Sequence, residues 1–363
     1  MAHTPAPARR SFQTLDGMRG VGAFLIVIRH NPALFGPIRV PESFLAVDFF
    51  YLVSGFVIAH AYAERLAAGG FLFDFFKTRL LRLYPLYLVA LGCGVLMAVC
   101  YMLQIPGSSW NPERIAECVA LGLFMFPRLP GMPDNGTSFN GPLWTLLPEL
   151  VANMVYAATI RWLSWPLLIA VMLVCGAGLV TGELVYGTLD IGYNLTDQWA
   201  ALARVGFSFF AGVGVYRLVA MREIRSSALA WLLILALGVV FGCTIAAKPV
   251  RAVFEIVMVL AGMPLIAAAA AIFEPNRLFG RLFSFVGLIS YGIYLVHQPL
   301  GNLLATELRL HGVRLTAQLP SAAYGFAFMA GVIVLAGALD RFYDAPVRAW
   351  LRPRVFPPRP KPA

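Results

Sequence analysis

Long apolar runs separated by short polar connectors dominate this chain. Eleven such runs lie at roughly 16–34, 43–62, 84–104, 115–127, 142–162, 165–182, 200–219, 228–246, 252–273, 284–304 and 321–341. They do not alternate with period two, which disfavours a membrane β-barrel. A helix rising 1.5 Å per residue needs about 20 residues to cross a hydrocarbon core of about 30 Å. The fourth run has only about 13 residues before Pro127, so it reads as a re-entrant or interfacial piece. The pattern therefore predicts an all-α, polytopic transmembrane helical bundle of about ten spans plus one short segment. Residues 1–14 read as a polar cytoplasmic tail, 15–345 as the transmembrane domain, and 346–363 as a basic, Pro-rich cytoplasmic tail near anionic headgroups.

Composition agrees. Of 363 residues, 60% are hydrophobic and 13% charged, and the mean hydropathy is +0.76. An ordinary soluble domain carries roughly 25% charge, so a water-soluble enzyme is excluded, as are a disordered chain and a collagen. The net charge of +10 lies between apolar runs, where it orients a membrane protein, and nucleic acid is not an expected partner. With the N-terminus inside and ten crossings, nineteen Lys/Arg fall on the cytoplasmic side. Eight fall outside: Arg39, Arg114, Arg128, Arg204, Lys248, Arg251, Arg309 and Arg314. Both termini are thus expected in the cytoplasm. The five cysteines form no CxxC pair, so neither a disulfide framework nor a metal site is expected. The first run carries Arg19 and His30 and lacks a small-residue cleavage site, so it should remain in the mature protein.

Ionisable side chains inside the runs cost at least ~2.5–3.5 kcal/mol each near the bilayer centre and are functional suspects. They are Arg29, His30, Asp48, Glu149, Glu255 and His297. His30 follows Arg19 by eleven residues, about 16 Å along a helix, and His297 stands roughly 20 Å up its own run. Asp48 and Glu149 stand near the outer ends of theirs. All four can share one mid-membrane or outer cluster able to run acid–base chemistry. Structural readings stand beside this one: helix–helix hydrogen bonds for the histidines, an ion pair or cap for Asp48, a kink partner for Glu149 after Pro148, and an i,i+4 pair with Arg251 for Glu255. On the inner side, FLFDFFKTRLLRLYP (71–85) suits an interfacial helix. Its Arg79 and Arg82, sharing a face, and nearby Arg19 can hold a phosphorylated ligand or lipid headgroups. A proton-coupled transporter would use similar residues.

At these residues the sequence resembles the membrane acyltransferase-3 family of bacterial polytopic O-acyltransferases. The matching blocks are Leu15-Asp16-Gly17-Met18-Arg19-Gly20 with His30 ten residues beyond the arginine's neighbour, AVDFFYLVSGFVI (46–58), Phe75-Phe76-x-x-Arg79-x-x-Arg82-Leu83-Tyr84-Pro85, and Ser290-Tyr291-Gly292-Ile293-Tyr294-Leu295-Val296-His297-Gln298-Pro299. Around Trp144 the chain keeps the family's Trp and Glu149 but carries Pro148 and Asn153. The resemblance implies transfer of an acyl group, usually acetyl from acetyl-CoA, to a hydroxyl of a surface or exported glycan, from a multi-pass position in the bacterial inner membrane. It implies essential roles for Arg19, His30, Arg79, Arg82 and Glu149; taken with the residue chemistry, the expected catalytic group is His30 oriented by Asp48 or Glu149, with donor contacts from Arg19, Arg79 and Arg82 and substrate contacts from Trp144, Tyr291 and His297. A small-molecule or lipid-linked acceptor is the alternative.

Overall fold

In the computed structural model, the structure describes residues 10–126, 139–219, 223–316 and 318–357. The first nine residues with Arg9, Pro127 and Arg128, Arg222, and the end of the tail with Arg359 and Lys361 lie outside the described residues.

Apolar runs without internal Gly/Pro clusters become helices, as the pattern predicts. The helices are α1 (Gln13–His30), α2 (Ala46–Ala68), α3 (Leu72–Gln104), α4 (Pro112–Leu123), α5 (Leu146–Thr159) and α6 (Trp165–Tyr186). They continue as α7 (Gln198–Leu218), α8 (Ser227–Gly242), α9 (Lys248–Ile272), α10 (Arg277–Leu310) and α11 (Pro320–Val355). Among the described residues, seven helices are long and apolar enough to cross a membrane: α2, α3, α6, α7, α9, α10 and α11. That is fewer than the ten predicted spans. Three predicted spans correspond to α1, α5 and α8. The 18 residues of α1 include Asp16, Arg19 and Arg29, while α5 has 14 residues and α8 has 16. A 3₁₀ turn, Gly141–Thr145, lengthens α5 at its start. The short fourth run is the 12-residue α4, whose start is capped by Asn111 accepting from the Arg114 N–H.

Two boundaries differ from the sequence expectation. The segment 71–85 is no separate interfacial helix. It is the first half of α3, 33 residues or about 50 Å long, in which Pro85 does not end the helix. At the other end, α11 runs through the predicted domain boundary at 345 and on to Val355, by way of a π turn at Asp340–Asp344.

The layering follows burial. The centre is formed by α2 and α7, whose backbones touch where Gly55 faces the Phe209 carbonyl and Gly212 faces that of Leu52. A methyl group at either glycine would collide with backbone, so small residues set this crossing. Beside this pair, α1 packs along α10. By contrast, α6, α9 and α11 are peripheral and expose Leu173, Val174, Leu265 and Val334. A water-soluble fold would bury such stripes, whereas hydrocarbon accepts them, and helices satisfy their own backbone there. At the end where α1 begins, Ile224–Arg225 and Phe273–Glu274 form a minimal parallel pair. Glu274 Oε2 accepts from the Thr14 N–H at 3.2 Å, satisfying a donor in the first turn of α1.

Candidate active site

A cavity of about 280 Å³ with a mixed polar and apolar lining opens among α1, α2, α3, α5 and α10. Arg19, Arg79 and Arg82 line it together with Ser54, Glu149, Ser290 and Tyr291. Each arginine is anchored on one side and leaves donors for a ligand. Arg19 donates to the Gly287 carbonyl at 2.7 Å and Ser290 Oγ at 3.2 Å, and pairs with Asp16 at 3.3 Å. Arg79 Nη2 lies 3.4 Å from Glu149 Oε1, while Arg79 Nε is buried with no hydrogen-bond partner among the described residues. Arg82 pairs with Asp344 at 3.6 Å, and Asp344 is held from the other side by Arg348 at 2.8 Å. Three guanidiniums face one cavity, each paired with a carboxylate yet keeping N–H groups that an anionic ligand can accept from.

The second group of residues is a histidine pair. His30, the last residue of α1, places Nδ1 2.8 Å from His297 Nε2 on α10. His297 is fully buried, and its Nδ1 lies 3.0 Å from the Ile293 carbonyl. A carbonyl only accepts, which assigns the proton on His297 to Nδ1 and leaves its Nε2 as an acceptor. His30 Nδ1–H then donates to it, and the remaining lone pair of the pair is on His30 Nε2. The two rings are parallel within 10° with centroids 5.1 Å apart. One turn before His297, Tyr294 lines the cavity, and its ring centroid is 6.1 Å from that of His297.

The predicted cluster of two histidines and two carboxylates is thus divided. Arg19, Arg79, Arg82, Glu149 and Tyr291 meet around one cavity. His30 and His297 meet beyond it. Glu149 does not orient a histidine. Its Oε1 accepts from Ser54 at 2.7 Å and pairs with Arg79. Asp48 does not orient one either. It is fully buried and forms a fork with Arg204, Nη2 to Oδ2 at 2.6 Å and Nε to Oδ1 at 3.2 Å. Arg204 also donates to the Ile191 carbonyl at 2.7 Å. Trp144 stacks toward this guanidinium, 5.8 Å away, and is not among the residues lining the cavity.

Arg204, counted with the outer charges, stands in the second turn of α7 with 1% exposure. Its place within the run 200–219 was the available signal. Glu255 does pair with Arg251, at 2.8 Å. Arg29 turns away from the histidines to the Pro41 carbonyl and Asp190. Ser54, Ser290 and Tyr294 lie within the matching blocks but receive no site role from sequence, because nothing in a one-dimensional pattern says which face of a helix meets a cavity.

The fold and these sites define a class: a multi-pass helical membrane protein with an arginine-lined cavity near the start of α1 and a histidine pair, one member buried and one half-buried, where α1 ends. The chain belongs to the family described as "Acyltransferase domain", whose profile matches residues 12–341. It is also similar to "Protein 2 in picA locus" of Rhizobium radiobacter, 42% identical over 161 residues, which is 42% of this chain and 82% of that protein. No solved structure matches it. Membership implies an acyl donor and an acceptor.

Proposed function

We propose that this protein is an O-acyltransferase of the bacterial inner membrane that moves an acetyl group from cytoplasmic acetyl-CoA to a hydroxyl of a surface or exported glycan. The observation that carries the reading is the arrangement on α1. Arg19 lines the cationic cavity, and His30, with a free Nε2, stands about 16 Å further along the same helix. Guanidiniums match phosphate oxygens, and the unpartnered Nε of Arg79 fits a diphosphate donor. The donor's phosphates rest against Arg19, Arg79 and Arg82. Its thin pantetheine arm carries the thioester toward the histidines.

The chemistry follows from the tautomers. His30 Nε2 takes the proton of the acceptor hydroxyl as its oxygen attacks the thioester carbonyl. The C–S bond breaks, and the CoA sulfur leaves with the proton returned by His30, giving ester plus free thiol. His297, fixed by the Ile293 carbonyl, accepts the hydrogen bond from His30 Nδ1 and supports the imidazolium that forms in between.

The test compares a deletion strain complemented with wild type, with His30→Ala, or with nothing, at equal membrane expression. Ester-linked acetate on the purified surface polysaccharide is read by mass spectrometry. General-base catalysis is worth roughly 10²–10⁴-fold, so wild type restores acetate and His30→Ala does not. Restoration by both proteins removes the mechanism. Acetate unchanged in all three removes the glycan acceptor.

A further inference from the structure

A second concavity lies on the other side of the helices that bear the cavity's arginines. A groove of about 600 Å³ runs between α3, the end of α4, α5 and α11, and its lining is almost wholly apolar. Helix α3 has two faces here. Arg79 and Arg82 look into the arginine-lined cavity, while Phe76, Leu80, Tyr84 and Leu88, spaced four apart, form a stripe along the groove. The partners of those arginines stand on the other walls. Glu149, paired with Arg79, lies on α5 between Leu147 and Leu150, which line the groove. Asp344, paired with Arg82, lies on α11 beside Tyr343 and one turn from Val347, which line it too. The groove is thus bounded by the three helices that hold the pairs Arg79–Glu149 and Arg82–Asp344.

Its length and its charge say what fits. The α3 wall runs from Phe76 to Leu88 and the α11 wall from Tyr343 to Val355, each about 18 Å along its helix. One leaflet contributes roughly 15 Å to a hydrocarbon core of about 30 Å. The rim is open, with Leu88, Leu123 and Phe124 exposed. Tyr84 donates its hydroxyl to the Leu123 carbonyl at 2.8 Å and so asks nothing of an occupant. Among the described residues lining the groove, the charged one is Lys77, at the end away from Leu88. The end of α11 lies beside it. Helix α3 keeps step with α10, the Tyr291 hydroxyl on the Leu83 carbonyl and the Tyr101 hydroxyl on that of Asn302, and α11 returns along α10 with Ala336 against Gly292. Helices α3 and α11 are therefore antiparallel, and the last turn of α11 adds exposed Arg352 and Arg354 near Lys77. The Arg354 guanidinium lies 3.8 Å over the exposed Trp350 ring. Tryptophan beside basic residues marks the level of lipid headgroups.

We propose that the groove is a binding site for one acyl chain of an anionic glycerophospholipid, whose phosphate rests against Lys77. The chain lies along the α3 stripe through the depth of one leaflet, and the lysine stem extends its ammonium to the headgroup level. A lipid in this place wedges α3, α5 and α11 and so braces the ion pairs that fix Arg79 and Arg82. The assignment is independent of the transferase reading, since it uses only the face of α3 turned away from the cavity.

The experiment takes the full chain in detergent, offers equal amounts of phosphatidylglycerol and phosphatidylcholine, and counts the retained lipids by native mass spectrometry. Only monodisperse proteins are scored. Wild type is expected to keep one phosphatidylglycerol, preferred about fivefold over phosphatidylcholine, the weight of one basic residue near a lipid headgroup. Lys77→Gln, a change at the groove's end that leaves its walls intact, should remove most of that preference. Leu80→Trp and, from the facing helix, Val347→Trp fill the groove and should each lose the retained lipid. Leu265→Trp, on the exposed face of α9, should keep it, which separates the groove from apolar surface in general. A wild type that keeps no lipid, or keeps phosphatidylcholine as readily, overturns the assignment. So does retention in both filled variants equal to wild type, or a loss matched by Leu265→Trp. Acyl transfer plays no part in the readout, so either result leaves the transferase reading to its own test.

Discussion

Asp48 offers the sharpest division between a catalytic and an architectural role. Its carboxylate is fully buried and its fork with Arg204 closes at 2.6 and 3.2 Å. Asp48→Asn removes the charge and leaves the guanidinium, 1% exposed, without a counter-ion. Breaking such a pair from one side costs about 3–5 kcal/mol, because a buried charge is stranded. For a chain of this size that lowers the melting temperature by roughly 4–7 °C. Replacing both partners by apolar residues of similar volume is often neutral, so Asp48→Leu with Arg204→Met should recover most of the loss. The double-mutant cycle isolates the pair from the sites around it. Melting is followed in detergent by the fraction of monodisperse protein that survives heating, and acyl transfer is measured on the same samples. The structural account predicts that stability and activity fall together in each single variant and return together in the double one. An Asp48→Asn protein that melts like wild type yet transfers nothing would refute it and return Asp48 to the chemistry.

The other predictions concern the remaining groups. His297→Gln keeps an acceptor for His30 Nδ1–H and should retain more turnover than His297→Ala, with little change in KM for the donor; equal losses would remove the relay. Arg79→Ala withdraws a charge-assisted contact worth roughly 1.5–3 kcal/mol and should raise KM for acyl-CoA about tenfold or more, while kcat falls less. Glu274, at the end of the bundle and outside the spanning helices, is pushed up to about 7 by burial, against the pull of the Thr14 N–H and the Arg10 charge. The folded protein therefore holds this proton where the unfolded chain, titrating near 4.5, releases it. Its contribution to stability is complete below that value and is lost as pH rises toward about 7. Melting temperatures across pH 5–8 should show this decline in wild type and not in Glu274→Gln; parallel slopes would exclude Glu274 as its source.

What could be read from the chain divides along one physical line. Hydrophobic run length located the helices, because burying a backbone in hydrocarbon leaves little choice but helix. Counting residues along a helix also gave relative height, since Arg19 and His30 do stand on one continuous helix, and the i,i+3 spacing of Arg79 and Arg82 did put both on one cavity. Depth is not azimuth, however. Asp48, Glu149 and the histidines were grouped because they stand at similar heights, yet a helix can point a side chain of given height toward any neighbour. Asp48 points to α7 and Glu149 to α3, and each finds an arginine. Those arginines follow the same rule that made the carboxylates conspicuous: a charge that must be buried requires an opposite charge at contact distance. The list of buried ionisable residues left out Arg204, and with it the partner for Asp48. Balancing that list would have shown more buried carboxylates than buried cations. It would have sent the search into α7, whose run 200–219 carries an arginine where an apolar residue was expected. The histidines escape this argument because a neutral imidazole needs only hydrogen bonds, so His30 and His297 are free to satisfy each other and leave one nitrogen for chemistry.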